Sequence, residues 1–174
     1  MFKNVLVATD GSDHANKAVD LAADMAAKDG AALTVLSVIE GGELTEDAKR
    51  LAAQKGVDMG PVPGIPDLAA ISPNLEAILP DVGAILATSR IKVDLAKAIM
   101  EEARDRASVP QGAKIRGQTK SGDAAEEILS VAEDEGADLI VMGSRGLGAL
   151  KNLLVGSVSQ KVSHLANCTC VTVK

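Results

Sequence analysis

The residues best suited to chemistry lie in one segment, 141–157, which reads Val-Met-Gly-Ser-Arg-Gly-Leu-Gly-Ala-Leu-Lys-Asn-Leu-Leu-Val-Gly-Ser. Its glycines allow the backbone to curl and to approach a ligand closely, and successive N–H groups in such a curl can hold an anion. Arg145 and Lys151 are cations that could reach terminal phosphates. The segment ends at Gly156-Ser157, where a predicted helix begins, and the free N–H groups of a helix N-terminus favour phosphate. The spacing therefore predicts a phosphate site.

This segment matches neither of the two common phosphate-binding motifs. No stretch of the chain reads G-x-x-x-x-G-K-[ST], and the turn after the first predicted strand is Asp10-Gly11-Ser12-Asp13 rather than G-x-G-x-x-G. P-loop hydrolysis and NAD chemistry are therefore disfavoured. A purely structural interpretation also stays open, because glycines in a βα loop make turns and Ser157 with Gln160 can form a capping box. Asp10 could likewise be only a turn or N-cap residue.

The remaining reactive side chains do not form a metal site. Cys168 and Cys170 are the only cysteines, and residues two apart in a strand rarely form a disulfide. A C-x-C pair also lacks the other ligands that a zinc site needs. His14 and His164 lie far apart without metal-ligand spacing, so we expect two surface histidines, two reduced thiols and no metal.

The elements that must position the segment begin with a β-α-β unit. Residues 3–9 and 32–39 are short apolar, β-branched runs, as expected for strands buried on both faces. Apolar residues between them recur at helical spacing, and Gly30 is placed to end that helix. A strand, a helix and a second strand favour a parallel sheet with a right-handed crossover.

The second half repeats this alternation. The capping box Asp123–Glu126 predicts the start of a helix that Gly136 ends. The other predicted elements are helices over 91–107 and 157–166 and strands over 113–119, 138–142 and 169–173. Five strands alternating with helices predict an α/β fold with a single open sheet and helices on both faces.

Residues 40–90 do not fit this alternation. They contain five of the six prolines, at positions 61, 63, 66, 73 and 80. Part of the stretch has helical character, at 46–55 and after Ser72-Pro73. We interpret 41–90 as an insertion after the second strand, and a flap, a dimerisation arm, a partner site or a functionally quiet excursion all stay open.

Composition limits the class of protein. The 174 residues are 47% hydrophobic and 24% charged, as expected for one globular domain over 1–174. The net charge is −6 and there is no Trp or Tyr, which disfavours nucleic-acid binding. The N-terminal apolar run is too short for a signal peptide and no stretch is long enough to cross a bilayer, so we expect a cytoplasmic protein.

The pattern Gly143-x2-Gly146-x9-Gly156-Ser157 resembles the G-x2-G-x9-G-[ST] motif of the universal stress protein family, in its ATP-binding branch. Three other features resemble that family: a first strand that ends in Asp10, the second-strand end 36–39, and the C-terminal strand. The resemblance covers about 1–40 and 91–174. The sequence departs from the family at Ser37, where His is usual, and at Ala8, where Pro or Val is common.

The resemblance implies a Rossmann-like, five-stranded parallel sheet in the order 3-2-1-4-5. In that order, Asp10 and Gly143 face one crevice at the topological switch point, where ligands of open α/β sheets bind. Asp10 would accept the ribose hydroxyls, Val38 would read the adenine edge through its backbone, and Met142 would pack on the ring. The other residues that the resemblance implies are Ala8 and Thr9 on the same wall, and Gly143, Arg145, Gly146, Gly156, Ser157 and Val158 around the phosphates.

The resemblance thus implies an ATP-binding regulatory protein of the stress response, with ATP bound with or without Mg²⁺. It also implies a homodimer that pairs through 169–173, with room for an unidentified protein partner. One alternative is a slow ATPase or nucleotidyl-transfer enzyme, although the loop shows no obvious general base and no paired acids for Mg²⁺. Another alternative is a partner-binding dimer that no longer binds nucleotide.

Overall fold

The computed structural model describes residues 1–60, 79–107, 114–148 and 155–174. Strands and helices alternate along most of the described chain. The strands are β1 (Asn4–Ala8), β2 (Ala32–Ile39), β3 (Ile115–Ser121), β4 (Leu139–Gly143) and β5 (Thr169–Val173). The helices are α1 (Asp13–Asp29), α2 (Glu46–Gln54), α3 (Leu79–Arg106), α4 (Ala124–Asp134) and α5 (Ser157–Leu165).

The five strands form one parallel sheet in the order β3-β2-β1-β4-β5. This confirms both the predicted α/β class and the strand order that the family resemblance implied. In the register, Ala8 at the end of β1 lies opposite Leu36 of β2 and Met142 of β4. The carboxyl ends of β1 and β4 are therefore neighbours, although their connections leave in opposite directions.

Both faces of the sheet are covered by apolar clusters. Successive side chains of β1 alternate between them, with Val5 and Val7 on the face of α1, and Leu6 and Ala8 on the face of α4 and α5. Because neither face meets water, the central strands are continuous apolar runs, which is the feature that made them recognisable in the sequence.

The predicted end of α1 at Gly30 and the predicted start of α4 at Asp123 are confirmed, and Ser12 is the cap of α1. The side chain of Ser12 caps α1 by accepting the N–H of Ala15 at 3.3 Å, and Gly30 follows α1 with φ +66°. The Asp123 carboxylate accepts the N–H of Glu126 at 3.0 Å and so caps α4. These contacts satisfy backbone groups that have no partner within the helix.

Two predicted elements have bounds that differ from the observed ones by more than one residue. The helix predicted over 91–107 begins at Leu79 instead. It can contain Pro80 because this residue lies in the first turn, where the missing N–H costs no helical hydrogen bond. β3 extends to Ser121, two residues beyond the predicted end. The helical character predicted at 46–55 is confirmed as α2, whereas Ser72-Pro73 lies outside the described residues.

The chain forms two compact units. Residues 1–42 and 96–174 build the sheet and its covering helices, and residues 43–95 form the second unit. Within the second unit, the Arg90 guanidinium donates to the carbonyls of Asp58 at 3.0 Å and Gly60 at 2.7 Å. Among the described residues, no helix is long and apolar enough to cross a bilayer.

Candidate functional site

The turn after β1 holds Asp10 at the end of the sheet. Thr9 is buried, and its N–H donates to the Leu36 carbonyl at 2.9 Å, which continues the ladder one residue past β1. The Thr9 hydroxyl then accepts the N–H of Gly11 at 3.2 Å, and Asp10 Oδ1 accepts the N–H of Ser12 at 3.0 Å. These contacts form a tight turn from which the second carboxylate oxygen of Asp10 can reach another segment.

The loop after β4 packs directly on the start of α1. Gly143 is the last residue of β4, and a Cβ at this position would lie 2.9 Å from the Ala15 nitrogen and 3.0 Å from the carbonyl carbon of His14. The next residue, Ser144, is 1% exposed, and its N–H donates to the Val173 carbonyl of β5 at 2.7 Å. The approach of α1 therefore requires glycine at 143 and fixes where the loop begins.

Asp10 and Gly146 meet across the switch point. Asp10 Oδ2 accepts the N–H of Leu147 at 2.6 Å. A Cβ at position 146 would overlap that same oxygen. The prediction that Asp10 and the glycine-rich loop face one another is thus confirmed in their geometry, and the role of glycine at 146 is to leave space for the carboxylate.

The start of α5 closes the other side of the loop. The N–H of Gly156 donates to the Ser144 carbonyl at 2.7 Å, and the Ser159 hydroxyl donates to the same carbonyl at 3.0 Å. Gly156 is the N-cap of α5, and Ser157 is the first helical residue. The interpretation in which Ser157 caps the helix as part of a capping box is therefore wrong. Gly156 occupies the cap position because its backbone is bonded to the loop.

The N-terminus of α5 lacks the kind of cap that its neighbours have. The helices α1, α2 and α4 begin with Ser12, Thr45 and Asp123, and each of these side chains accepts a backbone N–H. Among the described residues, no side chain does this for α5. The first turn of α5 therefore carries N–H groups that no described side chain caps, at the end of the helix with partial positive charge.

His14 also belongs to this region, so the expectation of a histidine that is merely on the surface is wrong. Its Nδ1 lies 3.1 Å from the Ser144 hydroxyl, and its Nε2 lies 3.5 Å from the Arg145 guanidinium. Ser12 makes a further contact when its hydroxyl donates to the Arg145 carbonyl at 3.4 Å. The beginning of α1 thus positions both the backbone and the side chain of Arg145.

An apolar wall lies on the α4–α5 face of the sheet beside this polar region. Four of the residues that the family resemblance assigned to the site belong to its cluster: Ala8, Val38, Met142 and Val158. Ala8 and Met142 are buried at the ends of β1 and β4. Val38 and Val158 are partly buried, and therefore keep surface that a ligand could cover.

The described residues hold no group of three or more His, Cys, Asp or Glu side chains that could bind a metal ion. Cys168 and Cys170 are free, and desolvation by burial raises the pKa of both thiols. A raised pKa leaves little thiolate at neutral pH, so neither residue has the character of a reactive cysteine.

Together, the sheet and this crevice define an open, doubly wound α/β protein with a candidate ligand site at its switch point. Its family follows from comparison with known sequences. The model of the universal stress protein family matches residues 1–59 and 68–174, and the chain belongs to this family. The match includes much of 41–90, which the resemblance in the sequence had left out.

A curated relative agrees with this assignment, and solved structures share the fold. The universal stress protein YxiE of Bacillus subtilis is 33% identical over 174 residues, which is 100% of both chains. The structure of universal stress protein UspA from Lactobacillus plantarum has a TM-score of 0.68 at 21% identity, over 99% of this chain and 97% of that one. A universal stress protein solved in complex with cAMP has a TM-score of 0.61 at 24% identity, over 99% and 97%.

Proposed function

We propose that this protein binds an adenine nucleotide, ATP, in the crevice where β1 and β4 end, and that it acts as a regulatory protein through the bound state. The observation that carries the proposal is the N-terminus of α5, which has no side-chain cap among the described residues and adjoins the loop that bears Arg145. A helix start of this kind beside a guanidinium is suited to phosphate.

The phosphates would lie against the first turn of α5. Gly156 brings this turn to the loop, and a Cβ there would lie 3.3 Å from the Ser144 carbonyl and 3.6 Å from the Cα of Arg145. The N–H groups of Ser157 and Val158 would supply directed donors, and Arg145 would supply the cation. Because the chain carries a net charge of −6, these local groups must provide the attraction.

The nucleoside would lie toward β1 and β2. The Asp10 carboxylate retains lone pairs that could accept ribose hydroxyls in addition to the backbone donors that it binds now. The exposed parts of Val38 and Val158 would contact the adenine ring, with Met142 and Ala8 behind them. The family member solved with cAMP supports an adenine nucleotide as the class of ligand.

Calorimetric titration of the full-length protein, after removal of any co-purified nucleotide, tests the proposal. ATP, adenosine, inorganic tripolyphosphate and GTP would be titrated with and without Mg²⁺. We expect about one ATP per chain, with weaker binding of adenosine and GTP. If none of these ligands produces heat or a thermal shift, the protein does not bind nucleotide and acts through partners alone.

Regulation would follow from linkage between ATP and the folded state. A ligand that binds only the folded protein stabilises it by about 2.7 kcal/mol when its concentration is a hundred times its dissociation constant. A protein partner that contacts the loop or α5 could then distinguish the ATP-bound form from the empty form. ATP as ligand, together with two unpaired cysteines, suits a cytoplasmic location.

We further propose that the protein is a homodimer paired through β5. β5 is an edge strand, and an unpaired edge favours pairing with a second copy. The Val173 carbonyl accepts the N–H of Ser144, so Val173 directs its backbone groups toward β4, and Thr172, the preceding residue, directs its own outward.

The outward N–H of Thr172 provides a test of the dimer. Thr172→Pro removes this donor without removing a hydrogen bond of the β4–β5 ladder, whereas Thr172→Ala keeps it. We expect the alanine variant to sediment as a dimer and the proline variant as a folded monomer. A proline variant that remains fully dimeric would show that the copies do not pair through β5.

A further inference from the structure

Asp10 makes two backbone contacts in different parts of the chain. Its Oδ1 accepts the N–H of Ser12 at 3.0 Å, within the turn that follows β1. Its Oδ2 accepts the N–H of Leu147 at 2.6 Å, in the loop that follows β4. Both oxygens are therefore in use, and the second contact joins the two strands whose ends form the crevice.

The loop is fitted closely to this carboxylate. A Cβ at Gly146 would overlap Asp10 Oδ2, and the carboxyl carbon of Asp10 would lie 3.4 Å from it. Gly146 is not among the glycines with positive φ, so the backbone conformation itself would accept an L residue. The proximity of the carboxylate, rather than the backbone angle, is what requires glycine at this position.

We propose that Asp10 is a positioning residue for the phosphates of the nucleotide, beyond any contact with ribose. By accepting the Leu147 N–H, it fixes the loop that carries Arg145 and Gly146 in the conformation that receives phosphate. This inference rests on the proposed nucleotide site. It assigns a favourable effect on anion binding to a residue whose own charge repels an anion.

The two possible effects of Asp10 on phosphate predict opposite changes in anion affinity, which can be measured. Asp10→Asn removes the negative charge and keeps the size of the side chain. If Asp10 acted on phosphate only through its charge, the variant would bind an anion more tightly. If Asp10 fixes the loop, the variant binds more weakly, because an amide has one oxygen acceptor and would present its NH₂ group to one of the two N–H donors.

The first experiment measures the affinity of inorganic tripolyphosphate, which has no ribose, for the unmodified protein, Asp10→Asn and Asp13→Asn. Asp13 is an exposed carboxylate in the first turn of α1, so its variant provides the same charge change as a control. We expect Asp10→Asn to weaken tripolyphosphate binding at least about tenfold, since a hydrogen bond to a charged group is lost. We expect Asp13→Asn to bind as tightly as the unmodified protein or more tightly.

The ratio of the affinities for ATP and adenosine provides the same information if tripolyphosphate alone binds too weakly to measure. This ratio should fall in Asp10→Asn, whereas loss of a ribose contact alone would leave it unchanged. An unchanged or increased ratio, or tighter tripolyphosphate binding, overturns the inference while the proposed function stands. If the unmodified protein binds no nucleotide at all, the proposed function itself fails, and this inference fails with it.

Hydrogen exchange of the Leu147 amide follows the loop without any ligand. In Asp10→Asn this amide should exchange faster, while the Ser144 amide, which is bonded to Val173, should keep its protection. Unchanged exchange at Leu147 would mean that the carboxylate does not fix the loop, whatever its effect on affinity. Equal melting temperatures would show that the variant has kept its fold.

Discussion

Three glycines, Gly143 at the end of β4 and Gly146 and Gly148 in the loop that follows, predict three different outcomes for the same substitution. An added Cβ at Gly143 would lie 2.9 Å from a nitrogen and 3.0 Å from a carbonyl carbon of the α1 backbone, closer than the 3.5–4.0 Å at which carbon atoms ordinarily pack. Among the described residues, a Cβ at Gly146 would meet only the Asp10 carboxylate, and a Cβ at Gly148 would have no neighbour within 4 Å. A methyl group should therefore disturb the fold at Gly143 and the candidate site at Gly146. At Gly148 it should disturb neither.

The magnitude for Gly143→Ala follows from the type of atom that is struck. Backbone atoms of α1 cannot rotate away as a side chain can, so the helix must move off β4. Overpacking of this kind costs about 1–3 kcal/mol, which corresponds to a melting temperature about 2 to 12 °C lower for a chain of this size. Gly148→Ala should stay within about 0.5 kcal/mol of the unmodified protein, as surface substitutions usually do.

Urea unfolding and ATP titration of the three alanine variants together test this reasoning. We expect Gly143→Ala to unfold at lower urea with an unchanged m-value, and Gly146→Ala to keep its stability but lose ATP affinity. Gly148→Ala should retain both and is the matched control. If Gly143→Ala is as stable as Gly148→Ala, α1 does not pack closely on β4 at this position, and the explanation for glycine at 143 fails.

Three further predictions concern single side chains. Arg145→Ala should weaken ATP binding by about tenfold or more and leave adenosine unchanged, and equal losses for both ligands would contradict a contact with phosphate. His14→Ala should weaken ATP less than Arg145→Ala does, and the two effects should not add in the double variant, because His14 contacts the Arg145 guanidinium. The hydrogen bond from the N–H of Glu126 is the largest cause that lowers the pKa of Asp123, and Lys161 lowers it further. Ionised Asp123 therefore stabilises the fold above its unfolded pKa, and this contribution is lost as the pH falls through its folded pKa. The difference in stability between the unmodified protein and Asp123→Asn should therefore be present at pH 7 and shrink in strong acid, and a constant difference would contradict the assigned shift.

The sequence was most informative for features that depend only on residues close together in the chain. β1, β2 and β4 could be recognised because burial on both faces leaves continuous apolar runs. Gly30 and Asp123 could be placed because helix ends have local chemical requirements. The strand order came from the family resemblance, since composition and periodicity do not specify which parallel strands are neighbours.

The start of α3 could not be found for the opposite reason. Pro80 is one of the five prolines that set 40–90 apart from the alternation of strands and helices, and proline is usually a helix breaker. Proline is acceptable there only because it occupies the first turn. That position is known only once the helix start at Leu79 is known.

The contacts of the site that the sequence did not reveal are those that depend on tertiary adjacency. His14 became part of the site because the residues after β1 and the residues after β4 emerge side by side. The Leu147 N–H has no signature at all in the sequence, since almost every residue carries an equivalent donor. Asp10 and the glycines could be singled out, but their partners could not.

The position of Asp10 would also explain how a carboxylate could belong to the proposed site for a polyanion. An acidic protein with a further acid, Asp10, beside the loop proposed to bind phosphate would repel ATP if net charge decided binding. Charge at a distance is screened within about 8 Å at physiological ionic strength, whereas N–H groups that point at an oxygen act at contact distance. A carboxylate that aligns such donors can therefore gain more for binding through geometry than it loses through repulsion, and this is the condition under which Asp10 would favour its ligand.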